Sequence, residues 1–295
     1  RKVHLPKCDI SMAEAGSRLL SVHEHSRDSV GCVYVYPVVS RRAGGVSVGI
    51  NLNPNNACNW ACIYCQVPGL VRGAAPPIDM AMLEAELSAL LEAIVHGDWL
   101  QRYAPEGARL LQDIAFSGNG EPTSSRQFPQ AVAMVRKLLE QFGLLGKIKV
   151  RLLTNGSLMH RKPVLDGVLA LAAINGEVWF KVDRATPDGM MSINQVAGNP
   201  ATVGRRVRAC AARCPTWIQT SCFNLDDNPP SAKELAAYLR LMLELSEVIA
   251  GVHLYGLARP SMQPQAERLS PLPTEMLAVW AEEIRRLGIE VNVSL

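Results

Sequence analysis

Short β-branched runs alternate with amphipathic segments along most of the chain. Six runs have the length and composition of strands, and they cover residues 46–52, 113–116, 147–153, 177–182, 216–221 and 251–257. Apolar residues at helical spacing predict helices at about 79–95, 127–141, 163–173, 201–212, from 231 onward, and 274–287. A short run at 289–293 ends the pattern. Such alternation is typical of a parallel sheet with helices on its outside.

Two helix starts carry capping signals. Asp79 precedes the apolar stripe of the first helix and is a good N-cap. Ser231-x-x-Glu234 has the pattern of a capping box and predicts the start of the fifth helix.

Six strand–helix units close only part of an eight-unit barrel. We therefore predict an α/β fold, a partial (β/α)6 TIM-like barrel of parallel strands with one side open for a substrate. The predicted barrel covers residues 46–295, and residues 1–45 form an N-terminal extension packed on it. Parallel barrels place their sites at the carboxyl ends of the strands. The loops after the first three strands are the unusual ones, with a cysteine cluster, a Gly-Asn-Gly-Glu-Pro stretch and a Thr-Asn-Gly turn.

Composition excludes a disordered or membrane-spanning chain. Hydrophobic residues make up 48% and charged residues 19% of the 295 residues. No apolar run approaches the roughly 18–20 residues that span a bilayer, and the first residues lack a signal-peptide pattern. The net charge of +3 neither demands nor excludes a nucleic-acid partner. We expect a cytoplasmic protein without a membrane partner.

Three of the eight cysteines lie within eight residues. Cys58, Cys62 and Cys65 have the spacing C-x3-C-x2-C, which indicates a metal site in a reducing compartment. Thiolates suit iron–sulfur clusters and zinc. A [4Fe–4S] cube held by three thiolates keeps one iron open, and the amino group and carboxylate of S-adenosylmethionine (SAM) can chelate that iron. The alternatives are zinc with a remote fourth ligand, or buried free cysteines.

With Tyr64 just before the last cysteine, the loop resembles that of the radical SAM superfamily. The stretch Gly118, Asn119, Gly120, Glu121 and Pro122 resembles the family's GGE-type motif at the end of the second strand. The resemblance implies a [4Fe–4S] cluster and SAM as cofactors and reductive cleavage of SAM to a 5′-deoxyadenosyl radical. It also implies backbone contacts of the glycine-rich stretch with the SAM amino group, a loop-fixing role for Glu121, and a backbone contact of Tyr64 with adenine. We assign Thr154 and Asn155, in the turn after the third strand, to the same cofactor site.

A narrower resemblance covers about residues 33–293. Segments such as Lys181-Val182-Asp183, Ile193-Asn194 and 254–260 are similar to the bacterial and archaeal radical SAM group related to wyosine-type tRNA-modifying synthases. Those synthases hold a second cluster on three further N-terminal cysteines, whereas this chain has only Cys8 and Cys32 there. The sequence contains no flavodoxin-like domain, so the resemblance implies an external electron donor of the flavodoxin or ferredoxin type.

Polar residues at later strand ends are candidates for catalysis or ligand binding. Lys181 and Asp183 flank Val182 and share one face of the fourth strand, so they would contact SAM or substrate, or else form a solvated ion pair. We expect Lys181 to bind cofactor and both residues to act in catalysis, together with Gln219 and Arg259 near other strand ends.

Other clusters have simpler explanations. Cys210, Cys214 and Cys222 could ligate a second metal, with Cys222 facing the barrel mouth, but buried cysteines are common as small hydrophobic residues. The arginine clusters at 41–42 and 205–208 could meet phosphates, although charged clusters usually face solvent.

The sequence thus predicts a radical SAM enzyme, with a nucleoside in tRNA or RNA as one substrate class. The alternatives are a small metabolite or peptide substrate, a glycyl-radical activase, or a non-catalytic iron–sulfur or zinc protein.

Overall fold

A computed structural model describes residues 19–20, 31–40 and 44–294 of the chain. Cys8, the arginine pair at 41–42 and most of the predicted N-terminal extension lie outside the described residues. Within them, no helix is both long enough and apolar enough to cross a bilayer.

The described residues form an α/β fold. Its strands are β1 (Val35–Ser40), β2 (Gly45–Asn51), β3 (Ala57–Cys58), β4 (Val71–Arg72), β5 (Leu111–Ser117), β6 (Lys149–Thr154), β7 (Gly176–Lys181), β8 (Thr216–Ser221), β9 (Phe223–Leu225), β10 (Gly251–Tyr255), β11 (Leu269–Pro271) and β12 (Val291–Ser294). Its helices are α1 (Met80–Val95), α2 (Trp99–Tyr103), α3 (Phe128–Gln141), α4 (Lys162–Ala172), α5 (Pro187–Asn194), α6 (Pro200–Ala211), α7 (Ala232–Leu245) and α8 (Thr274–Arg285).

Eight strands join in one curled sheet, in the order β1-β2-β5-β6-β7-β8-β10-β12. Neighbouring strands from β2 to β12 pair in parallel, and β1 pairs with β2 in the antiparallel direction. The predicted partial barrel is therefore confirmed, and the run predicted at 289–293 contributes its last parallel strand, β12.

The two faces of the sheet differ in chemistry because side chains alternate along a strand. Residues such as Ile50, Phe116 and Val178 are fully buried in the main core, on the side of the helices. The opposite face lines the inside of the curl and is polar. There Arg151 donates to Glu177 at 2.7 Å and also pairs with Asp113, so the charges inside the curl are partnered.

The predicted N-caps at Asp79 and Ser231 form, but the Glu234 carboxylate of the predicted capping box contacts another helix start. Asp79 accepts a hydrogen bond from the Met82 N–H at 3.0 Å, and Ser231 accepts one from the Glu234 N–H at 3.2 Å. The Glu234 carboxylate accepts a hydrogen bond from the Thr186 hydroxyl. Glu234 thus links α7 to the N-cap of α5.

Several elements were not predicted, and β1 and α5 are the most important of them for the sheet and the site. Strand β1 falls within residues assigned to the N-terminal extension, but its register runs Val35 to Ile50 through Ser40 to Gly45, so it extends the sheet itself. Helix α5 fills the link between β7 and α6. Its start follows Thr186, whose hydroxyl accepts from the Gly189 N–H, and a proline at the first helical position.

Glu86 of α1 holds the start of β1. Its buried carboxylate accepts hydrogen bonds from the N–H groups of Val33, Tyr34 and Val35 at 2.8, 2.8 and 3.1 Å. We expect Glu86→Ala to lower the free energy of unfolding by about 2–4 kcal/mol, because it leaves these donors without an acceptor. Urea denaturation measures the change.

The matched control is Glu84→Ala on the same helix, since the contact of the Glu84 carboxylate within the described residues is an exposed ion pair with Lys137. We expect that change to cost less than about 1 kcal/mol. Equal losses in the two variants would contradict the role assigned to Glu86.

Candidate active site

The cysteine loop follows β2 at the carboxyl edge of the sheet. Cys58, Cys62 and Cys65 are free and half-buried, so none is joined to another by a disulfide. The short β3–β4 pair closes the loop by setting Cys58 beside Arg72.

Two distant segments hold the loop from either side. At the end of α5, the carbonyl of Ile193 accepts from the Ile63 N–H at 2.9 Å. After β10, the Met262 N–H donates to the Cys65 carbonyl at 2.9 Å, and the Ser261 hydroxyl donates to the Ile63 carbonyl at 2.7 Å. The positions of the three thiols are thus fixed by backbone contacts on two sides.

Burial disfavours the thiolate form of two cysteines in the loop. Burial raises the pKa of the Cys58 and Cys62 thiols to about 12, and the charge of Asp183 adds to the effect at Cys62. Both thiols are protonated at neutral pH unless positive charge is supplied, as a bound metal does.

The donor set fits a cluster with one thiolate on each of three irons. Among the described residues, no three His, Cys, Asp or Glu side chains are grouped as ligands of a single metal ion. Soft thiolates suit both zinc and a [4Fe–4S] cube, and in the cube each of the three thiolates binds a different iron. The free thiols and their chemistry therefore fit the cube.

The glycine-rich stretch after β5 packs directly against the base of the cysteine loop. A side chain at Gly120 would place its Cβ 2.1 Å from the Ala57 carbonyl, and Gly118 has a φ of +128° with Asn51 close by. The Asn119 side chain donates to the Asn56 side chain at 2.5 Å. Only glycine fits at 118 and 120 while the two loops touch.

Glu121 connects the glycine-rich stretch to the turn after β6. Its buried carboxylate accepts from the Thr123 N–H and hydroxyl at 3.2 and 2.5 Å, from the Thr154 hydroxyl at 2.6 Å, and from the Asn155 N–H at 2.7 Å. Burial raises the pKa of Glu121, while these donors oppose the shift. Pro122, buried beside it, opens a single 3-10 turn.

The turn after β6 in turn contacts the cysteine loop. The Asn155 amide donates to the Asn59 side chain at 2.8 Å, and the Asn59 amide donates to Ser157 at 2.7 Å. The three unusual loops identified in the sequence therefore form one hydrogen-bonded group.

Lys181 and Asp183 lie at the end of β7, next to the cysteine loop. Asp183 accepts from the Tyr64 hydroxyl at 2.5 Å, the Asn194 amide at 2.8 Å and the Ser221 N–H at 3.0 Å. Lys181 Nζ lies 4.0 Å from Asp183 and donates to the Tyr255 hydroxyl at 2.5 Å.

Burial would lower the pKa of Lys181, but Asp183 and Tyr255 outweigh it, and the pKa lies above its ordinary value. The lysine is therefore cationic and partnered, with its ammonium 5.0 Å from the centre of the Tyr64 ring. We call Asp183, Tyr64, Lys181, Asn194 and Tyr255 the Asp183 network.

Gln219 and Arg259 lie on the neighbouring strands. Gln219 pairs in register with Lys181, and Arg259 follows β10, where its carbonyl accepts from the Gln66 side chain at 3.4 Å. In the described part of the chain, Gln219 Nε2 and Ser221 Oγ are buried without a hydrogen-bond partner. Buried donors without partners are costly, and a bound ligand would satisfy them.

We expect Gln219→Met to keep or raise the free energy of unfolding, by up to about 1 kcal/mol, since it removes an unpaired buried amide at similar volume. The same change lowers turnover at least about tenfold if the amide binds a ligand. The neighbour Thr220→Val is the control, because its hydroxyl is satisfied by Val182 and Tyr238 and its loss destabilises. Denaturation and turnover assays of both variants separate the effects. A destabilised Gln219→Met with normal turnover would contradict the ligand-binding role.

The remaining cysteines lie in the hydrophobic core. Cys210, Cys214 and Cys222 are free and at most 2% exposed. The sequence analysis placed Cys222 facing the barrel mouth, and this was wrong. The residue is part of the hydrophobic core cluster. Burial raises its pKa to about 12, which suits an inert packed thiol.

A cavity of about 480 Å³ opens beside the cysteine loop, between the turn after β6 and helix α6. Trp60, Phe180 and Arg206 line it, and of the predicted site residues only Asn155 does so. The Lys181–Asp183 pair therefore lies outside this cavity. The neighbouring Arg205 and Arg208 donate to Thr202 and to the Glu244 carbonyl.

Several site residues were missed in the sequence. Asn194 was noticed only within a family-like segment, and its contact with the cysteine loop was not predicted. Tyr255 was likewise noticed only within such a segment, and residues 261–263 were not singled out at all, because their contacts join residues far apart in the chain.

Comparison with known proteins agrees with this geometry. A radical SAM methyltransferase from Sphaerobacter thermophilus superposes with a TM-score of 0.59 at 16% identity, over 88% of this chain and 68% of that structure. This match shows a shared half-barrel fold. No protein-family profile matches the chain.

Two relatives match parts of the sequence. A GTPase Obg from Brachyspira hyodysenteriae is 27% identical over 133 residues, which are 45% of this chain and 17% of that protein. The UPF0026 protein MJ1312 from Methanocaldococcus jannaschii is 24% identical over 159 residues, 52% of this chain and 44% of that protein. The matched region thus spans less than half of either relative.

Proposed function

We propose that this chain is a radical SAM enzyme. Cys58, Cys62 and Cys65 hold a [4Fe–4S] cluster, and SAM binds to its open iron at the carboxyl edge of the half-barrel. The observation that carries the proposal is the hydrogen-bonded group of three loops, in which the loop with three free thiols contacts a glycine-rich stretch fixed by Glu121. The fold shared with a radical SAM methyltransferase supports it.

When bound, the cluster supplies one electron that splits SAM into methionine and a 5′-deoxyadenosyl radical. The chain's own residues position the partners of that chemistry. The backbone of the glycine-rich stretch would bind the SAM amino group, and Glu121 fixes the shape of that stretch. The Tyr64 hydroxyl donates to Asp183. This hydrogen bond fixes the position of Tyr64, whose backbone would contact the adenine of SAM. Lys181 offers a cation for a carboxylate or ribose oxygen.

Reductive cleavage of SAM tests this proposal. Anaerobically reconstituted protein, incubated with SAM and dithionite, is expected to form 5′-deoxyadenosine with about four irons per chain. Protein that binds iron but leaves SAM intact would contradict the enzymatic proposal. Protein that binds one zinc and no iron would contradict the cluster.

For the substrate we propose a nucleoside in tRNA or RNA, supported by the segments that resemble the wyosine-type group. The electron then comes from a separate flavodoxin- or ferredoxin-type protein. Binding of tRNA that weakens steeply with salt would support this substrate class. Activity on a small metabolite or peptide, or radical formation on a partner protein, would assign the chain to one of the alternatives.

A further inference from the structure

Asn194 is the last residue of α5 and contacts a cysteine of the loop. Its side chain is 1% exposed, and the amide nitrogen lies 2.8 Å from Asp183 Oδ2 and 3.2 Å from Cys62 Sγ. One side chain therefore touches both a proposed cluster ligand and the Asp183 network.

The surroundings determine which way the amide faces. Asp183 Oδ2 accepts from the Tyr64 hydroxyl and from the NH2 group of Asn194, so the amide nitrogen, and not its oxygen, faces Asp183. The same nitrogen has a second hydrogen, which it donates to the sulfur of Cys62. A thiol sulfur accepts such a hydrogen bond weakly, and the same sulfur would accept it more strongly as the thiolate ligand of a cluster.

Asn194 is held in place through both its side chain and its main chain. Asp183 is fixed by the Ser221 N–H and the Tyr64 hydroxyl, and the Asn194 carbonyl accepts from the Ala61 N–H at 3.3 Å. The left-handed Gln195, with a φ of +55°, ends α5 directly after Asn194 and turns the chain away. Asn194 thus has little freedom to leave the sulfur.

From these contacts we infer that Asn194 is a positioning residue that tunes the cluster's reduction potential through its hydrogen bond to Cys62. The inference rests on the proposed function. Hydrogen bonds to ligand sulfurs stabilise the reduced, more negative cluster and raise its potential. Without this bond, the external donor must deliver its electron to a cluster that is harder to reduce.

The potential can be measured without turnover. In reconstituted protein, an EPR-monitored redox titration of Asn194→Ala is expected to show about a tenfold lower ratio of reduced to oxidised cluster at a fixed potential, about 59 mV for one electron. Asn194→Asp is the second variant, because it fills the same space and has no N–H when ionised. Both variants are expected to shift the potential in the same negative direction.

Asn199→Ala is the control for general loosening of this region. Asn199 caps α6 by accepting from the Ala201 N–H and is expected to lose stability without a change in potential. Wild-type protein that binds no iron would overturn the proposed function and this inference together. A normal cluster with an unchanged potential in both Asn194 variants, or an equal shift in Asn199→Ala, would overturn this inference alone.

Discussion

Replacing Glu121 with alanine is expected to lower the free energy of unfolding by about 3–5 kcal/mol. The substitution removes the shared acceptor of four hydrogen bonds in a site that is only 2% exposed. The Thr154 hydroxyl and the Asn155 N–H would lose their partner, and the turn after β6 would separate from the glycine-rich stretch. Chemical denaturation at neutral pH measures the loss.

Glu121→Gln refines this test because it keeps the shape of the side chain. The NH2 group of the glutamine would face hydrogen-bond donors at positions where the carboxylate oxygen accepts. We therefore expect most of the loss in unfolding free energy to remain. Glu140→Ala, which breaks only an exposed pair with Arg136, is the control and is expected to cost less than about 1 kcal/mol. A fully stable Glu121→Gln variant that still binds SAM would show that the carboxylate does not organise the loops.

Replacement of any one of Cys58, Cys62 and Cys65 by alanine is expected to abolish SAM cleavage. Two thiolates cannot anchor the cube that three can hold, so iron content falls with activity. Iron and sulfide analysis, together with 5′-deoxyadenosine formation, checks both parts of the expectation.

Cys222→Ala is the matched control, since this thiol is also free but lies in the core. We expect this variant to keep its iron and its activity while losing some stability. A loop variant that retains a full cluster would remove that cysteine from the ligand set, and loss of iron in Cys222→Ala would point to a different set.

The strands were predictable because runs rich in apolar and β-branched residues, such as 46–52, favour a buried strand. The three site loops were predictable because cysteines, glycines and a Thr-Asn-Gly turn fall at the same edge of a parallel sheet. Helix α5 was missed, although Thr186 followed by a proline is a helix-start signal.

What the sequence could not supply is the set of contacts between these loops. Cys62 and Asn194 are 132 positions apart, and Cys65 and Gln263 are 198 apart. No local pattern encodes such pairs, because they arise only when the curled sheet brings the ends of β2, β7 and β10 to one edge. The contact that holds the start of β1 could not be predicted for the same reason. Glu86, which accepts from the Tyr34 N–H, lies on a helix more than fifty residues further along the chain.

The central claim is that three thiolates hold an iron–sulfur cube whose fourth iron is free to bind SAM. EPR spectra of the reduced, reconstituted protein with and without SAM test it most directly. We predict a reduced-cluster signal that changes shape when SAM is added, because the ligand binds the open iron. An unchanged cluster signal in the presence of saturating SAM would contradict the claim.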